Sequence, residues 1–131
     1  MKRLIILCGL IGSGKTTFSL NNGFQFTDYD QIEGFSTKKM QIEWTERLLG
    51  THDEVCHITT YPTREEVTKL SKYNPNYVWL DTSLDQCKTN ILIRNRKRDM
   101  ENLFSVFEAN QDMLFKFKKT KIPFKVVRVF N

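Results

Sequence analysis

Eight consecutive residues, Gly9-Leu10-Ile11-Gly12-Ser13-Gly14-Lys15-Thr16, combine three glycines with a lysine and a terminal hydroxyl. That spacing suits the holding of a polyphosphate. Glycines let the backbone curl so that its N–H groups converge on an anion, and a following helix adds partial positive charge. Lys15 then reaches the β- and γ-phosphates, while the Thr16 hydroxyl helps hold Mg²⁺. The expected contacts to a nucleoside triphosphate, ATP or another, are Gly9, Gly12, Ser13, Gly14, Lys15, Thr16 and Thr17.

A second chemical cluster follows at Thr27-Asp28-Tyr29-Asp30. Phosphoryl transfer is mostly positioning and charge neutralisation, yet an accepting hydroxyl must lose its proton. Two carboxylates two residues apart can divide that work, Asp28 toward the Mg²⁺ water shell and Asp30 as general base or acceptor-hydroxyl ligand, or with the two roles exchanged. Asp also favours plain turns; what distinguishes this turn is that it directly follows a strand beside the phosphate loop. A third cluster is Arg94-Asn95-Arg96-Lys97-Arg98. Arginine grips phosphate oxygens in pairs, so a mobile basic segment could cover a triphosphate and expel water. Arg94 and Arg98 are the expected catalytic pair, sharing one face if the helix continues across them.

Positioning these groups takes a regular scaffold. Apolar runs at Lys2–Cys8, Gly23–Asp28, Val55–Thr60, Tyr77–Asp81 and Phe124–Phe130 read as strands. Between them Lys15–Asn21, Thr37–Leu49, Thr63–Tyr73, Leu84–Arg94 and Met100–Lys119 read as helices. Gly50, Pro62, Asn74-Pro75 and Pro123 fall between elements, as breakers should. Thr63-Arg64-Glu65-Glu66 has the form of a capping box. Alternation at this spacing requires crossover connections, hence an α/β fold with a parallel five-stranded sheet flanked by helices in three layers. Ligands bind such sheets at the carboxyl ends of the strands, where the loop, Asp28, Thr60 and Asp81 share one rim.

The 131 residues fit one domain, and 40% hydrophobic content with ten Phe supports a folded core. A net charge of +5 suits polyanionic partners such as nucleotides or nucleic acid. Cys8, Cys56 and Cys87 lack zinc-type spacing and read as free core thiols of a reducing cytoplasm. No apolar segment is long enough to span a membrane. His57 reads as a packing residue of the third strand, and Asp81 as the cap of the next helix or a contributor to a metal site. Trp79 reads as core; Trp44 reads as core or as part of an acceptor pocket. Phe104, Phe107, Phe115 and Phe117 read as the buried side of the last helix. Thr59 and Thr60 place hydroxyls rather than a carboxylate at the end of the third strand.

Together, Gly9–Thr16, the acidic turn and the arginine segment resemble the small P-loop kinases, nearest to the 5′-hydroxyl polynucleotide kinases of bacteriophages. The resemblance implies a three-layer P-loop NTPase fold, ATP and Mg²⁺, a nucleic acid or nucleotide acceptor, and an arginine-bearing lid at residues 94–98. The chain departs from that family by placing Gln31, Ile32 and Glu33 where an acceptor-binding Arg is found. Asp28-Tyr29-Asp30-Gln31-Ile32-Glu33 is also similar to the acidic motif of shikimate kinases, whose triple-glycine segment this chain lacks. A nucleoside, nucleotide or other small-molecule kinase and a non-catalytic nucleotide-binding module are the alternatives.

Overall fold

The computed structural model describes residues 2–28 and 37–128, and all five expected strands form within them. They are β1 (Arg3–Gly9), β2 (Gln25–Asp28), β3 (Glu54–Thr59), β4 (Asn76–Asp81) and β5 (Lys125–Arg128). The helices are α1 (Lys15–Asn21), α2 (Lys38–Leu49), α3 (Arg64–Leu70), α4 (Leu84–Arg94), α5 (Lys97–Glu101) and α6 (Leu103–Lys118). One parallel sheet runs in the order β2-β3-β1-β4-β5. The strand feeding the phosphate loop is therefore central and buried on both sides.

Side-chain alternation along β1 divides the core into two layers. Leu4, Ile6 and Cys8 meet Ile42 and Leu49 of α2, Leu70 of α3, Cys87 of α4 and Phe117 of α6. Ile5 and Leu7 face the opposite layer, with Phe18 of α1 and Phe26 of β2. Helices thus cover both faces, giving the expected three layers. Trp79, 1% exposed, stacks on Phe117 with ring centroids 4.1 Å apart and planes 10° from parallel. All three cysteines are free and buried. Burial drives the Cys8 thiol far above its ordinary pKa and pushes Cys56 and Cys87 up to about 11 each.

Several local expectations are corrected. The third helix stops at Leu70; a 3₁₀ turn over Ser71–Tyr73 follows, closed by Asn74 in the left-handed region (φ 50°). The last helix is split, because Asn102 leaves helical geometry at φ −139° between α5 and α6. Ser83 rather than Asp81 caps α4, accepting from the Gln86 amide, and Asp81 is exposed. Phe104 and Phe115 are 80% and 59% exposed. The half-buried stripe of α6 runs through Leu103, Val106, Phe107, Met113, Leu114 and Phe117, with Asn110 fully buried within it. Phe104 and Phe115 each fall one residue, about 100° of helical turn, off that stripe.

The capping box at Thr63 and Glu66 forms, and its carboxylate does more than cap. Glu66 is fully buried and also bonds His57 Nε2 at 2.5 Å and the Thr59 hydroxyl at 3.2 Å. Its charge lies 3.7 Å from Lys38 Nζ. His57 Nδ1 shares a hydrogen bond with Thr45, which meets Thr27 of β2. The chain of contacts joins β2, α2, β3 and α3. Among the described residues no buried side-chain nitrogen or oxygen lacks a partner.

Burial alone would raise the Glu66 carboxyl, but the His57 hydrogen bond and the Lys38 charge outweigh it and hold the pKa below its ordinary value. With the folded pKa depressed, the stabilisation is full above the unfolded carboxylate's pKa and lost as pH falls through the folded one. Glu66→Ala is expected to cost about 3 kcal/mol by leaving buried His57 Nε2 and the Thr63 amide without their carboxylate partner. In thermal melts from neutral pH to about pH 3, Glu66→Gln should lose less stability on acidification than the unmodified chain.

Candidate functional site

At the carboxyl end of β1 the chain must turn sharply, and two glycines make the turn. Gly12 and Gly14 hold φ of +84° and +95°, a region that side chains with a Cβ avoid. A Cβ on Gly12 would lie 2.7 Å from the Cys87 carbonyl oxygen and 2.9 Å from Ile91 of α4. Lys15 arches back across the turn, its ammonium donating to the carbonyls of Gly9 (2.7 Å) and Leu10 (2.8 Å). The positive tip therefore sits against the loop's own backbone, where phosphate oxygens would compete for it.

Three side chains brace the loop from outside. The Thr82 hydroxyl donates to the Ser13 carbonyl at 2.8 Å, and the Asn90 amide donates to the Gly12 carbonyl at 2.9 Å. Asn110, from the buried stripe of α6, accepts from the Ile11 N–H at 2.7 Å and donates to the Ile11 carbonyl at 2.9 Å. A carboxamide that engages both groups of one peptide residue fixes its position and orientation together. None of the three was singled out from sequence. The one available signal was Asn110, a polar side chain at an apolar position of α6.

A cavity of about 560 Å³ opens at this end of the sheet, lined by loop residues 11–17 together with Asp28 and Thr60. Lys38, Thr59 and the three arginines of the basic segment also line it. Its size is in the range of ligand-binding pockets. The Thr16 hydroxyl donates to Asp28 Oδ2 at 2.8 Å, so the end of β2 and the start of α1 meet as the spacing suggested. This pairs two hard oxygen donors at the loop, a set that suits Mg²⁺, which keeps most of its waters and needs few protein ligands. Among the described residues no group of three or more His, Cys, Asp and Glu could enclose a metal ion. Asp30 and the rest of the acidic turn, Tyr29 to Glu33, lie outside the described residues. Trp44 is half exposed on α2 and is not among the described residues that line the cavity.

The arginines gather differently from expectation. α4 ends at Arg94, and Asn95 takes the left-handed conformation at φ 51°, so no continuous helix aligns Arg94 with Arg98. A carboxylate gathers them instead. Asp99, 2% exposed, binds Arg94 Nη2 at 2.9 Å and lies 3.7 Å from Arg98 Nε. Arg96 lines the same cavity. At the end of β3, Thr59 and the following Thr60 supply hydroxyls, and Lys38 donates to Thr59 at 3.0 Å.

The architecture is found in solved kinases. A gluconokinase from Sinorhizobium meliloti 1021 superposes with a TM-score of 0.62 at 15% identity, over 99% of this chain and 83% of that one. Deoxyadenosine kinase from M. mycoides with bound dATP gives 0.52 at 16% identity, over 98% and 91% of the two chains. The same enzyme with products dCMP and a flexible dCDP bound gives 0.50 at 17%, over 95% and 88%. No protein-family model and no curated protein matches the sequence. The likeness is one of fold: the chain shares with these proteins a three-layer α/β architecture around a parallel five-stranded sheet.

Replacing Asn110 by Ala strands both polar groups of Ile11. Stability is expected to fall by about 2 kcal/mol, read from urea denaturation. Gln111→Ala, one residue along on the exposed side, should stay within about 0.5 kcal/mol of the unmodified chain.

Proposed function

We propose that this chain is a P-loop kinase that moves the γ-phosphoryl group of ATP to a hydroxyl of a nucleoside-type acceptor. The observation that carries the reading is the meeting of Thr16 and Asp28 at 2.8 Å beside Lys15, in a cavity also lined by Arg94, Arg96 and Arg98. A glycine turn alone would bind anions. A hydroxyl–carboxylate pair on one side of the loop and arginines on the same cavity add what transfer needs.

Lys15 exchanges its carbonyl partners for β- and γ-phosphate oxygens and neutralises the charge developing on the transferred group. Arg94 and Arg98, oriented through Asp99, grip the remaining oxygens and exclude water. Thr16 and Asp28 would hold Mg²⁺, which when bound neutralises phosphate charge and orients the triphosphate. The acceptor oxygen bonds to the γ-phosphorus as the bond to the β,γ-bridging oxygen breaks. Asp30 takes the acceptor's proton, and the nucleoside diphosphate leaves with the bridging oxygen.

Two structures of deoxyadenosine kinase share the fold, which favours a free nucleoside or nucleotide as acceptor. A 5′-hydroxyl end of nucleic acid is the second reading, favoured by six exposed cations from Lys116 to Arg128 that form no ion pair among the described residues. Three buried free thiols suit a reducing, cytoplasmic setting.

Incubation with labelled ATP, Mg²⁺ and a panel of nucleosides, nucleoside monophosphates, 5′-hydroxyl oligonucleotides, gluconate and shikimate tests this. Label should enter a nucleoside-type acceptor. ATP binding with transfer to none of them would leave a nucleotide-binding module. Lys15→Ala is expected to lower turnover by roughly a hundredfold or more and to weaken ATP binding with it. Asp30→Asn should abolish transfer while calorimetry still finds nearly unchanged ATP affinity; surviving activity would remove Asp30 as the base.

A further inference from the structure

Charge is unevenly distributed along this chain. Residues 1–115 hold 14 basic and 15 acidic side chains, so that portion is close to neutral. Lys116, Lys118, Lys119, Lys121, Lys125 and Arg128 follow with no acidic residue after Asp112. All six are exposed, and none forms an ion pair with the described residues. Elsewhere basic side chains do find acids: Lys2 with Asp53, Arg3 with Glu54, Lys69 with Glu65 and Lys72 with Glu46. One or two lysines suffice to complement the carboxyl end of a helix. Six exposed cations within one stretch of sequence that holds no acid suit a polyanionic partner.

Exposed aromatic rings lie on the same element. Phe104 and Phe115 are 11 residues apart, which brings them within about 20° of one line along α6 and roughly 16 Å apart. Lys119 Nζ lies 4.3 Å from the Phe115 ring centroid, so a flat ring and a cation form one unit. Glu108, Gln111 and Asp112 lie between the rings, which leaves no continuous apolar strip to enter a bilayer. Separate exposed rings, one of them with an ammonium group against its face, suit unpaired bases joined by phosphates.

We propose that the exposed face of α6 from Phe104 to Lys119, continued by Lys121, docks single-stranded nucleic acid. Phe104 and Phe115 stack bases, and Lys118, Lys119 and Lys121 contact phosphates. The surface does not depend on which acceptor the site uses.

Fluorescence anisotropy with a labelled single-stranded oligonucleotide, at several salt concentrations, tests the assignment. Binding should weaken with salt. A Lys118→Ala, Lys119→Ala, Lys121→Ala triple variant should lower affinity at least tenfold and make the log–log salt slope shallower by about 2. Phe115→Ala should weaken binding several-fold or more with the slope unchanged, because a stacked base carries no phosphate charge. ATP affinity, measured by calorimetry, should be the same in all variants and serves as the control for folding. The proposal is overturned if the unmodified chain binds no oligonucleotide, or binds it as well after both sets of substitutions. It is equally overturned if the chain sediments with phosphatidylserine vesicles and ignores the oligonucleotide.

Discussion

The loop at the end of β1 must present a curled backbone to an anion without collapsing onto itself, and the rest of the site follows from that constraint. Positive φ at Gly12 and Gly14 makes the curl, but a curl of backbone dipoles has little intrinsic rigidity. Hydrogen bonds to its outward carbonyls supply it. Thr82, Asn90 and Asn110 reach the loop from the end of β4, from α4 and from α6, so three separate elements must be in register for it to hold its shape. Placing β1 in the middle of the sheet makes this possible, since α4 and α6 pack beside it in the same core layer.

A second polar system stabilises the other side of the cavity. Glu66 begins as a local device, one half of a capping box, and becomes the anchor of His57, Thr59 and Lys38. A fully buried carboxylate is tolerated because every oxygen is engaged and a positive charge is near. Lys38 in turn lines the cavity from the first turn of α2. The end of β3, which lacks an acidic residue of its own, is therefore not without carboxylate influence; it arrives from the following helix through a hydroxyl and an ammonium group.

What was legible in the sequence was local. The glycine pattern, its strand-first setting, Asp28 at the end of β2 and the capping box are all written within a few residues, and each forms. The parallel sheet followed from alternation alone. Features that depend on which side of a helix faces inward were harder. Four phenylalanines near one another looked like one buried face, yet helical geometry puts Phe104 and Phe115 outside and Asn110 inside. Arg94 and Arg98 pair in the sequence through a four-residue spacing that Asn95 breaks by ending the helix, and Asp99, which gathers them, has no signal in that spacing. Lys38 and Asn90 become part of the site only through contacts between residues far apart in sequence. Asp30 falls outside the described residues, and its role rests on its place in the chain.

The three cysteines sit near the carboxyl end of β1, in β3 and in α4, each sealed into the packed interior. Only a thiolate reacts readily with an alkylating reagent, and burial leaves almost none of it at neutral pH. Modification must therefore wait for the surrounding structure to open. The chain thus contains its own clocks for breathing motions: the alkylation rate at each cysteine reports how often that part of the protein comes apart, without any introduced label.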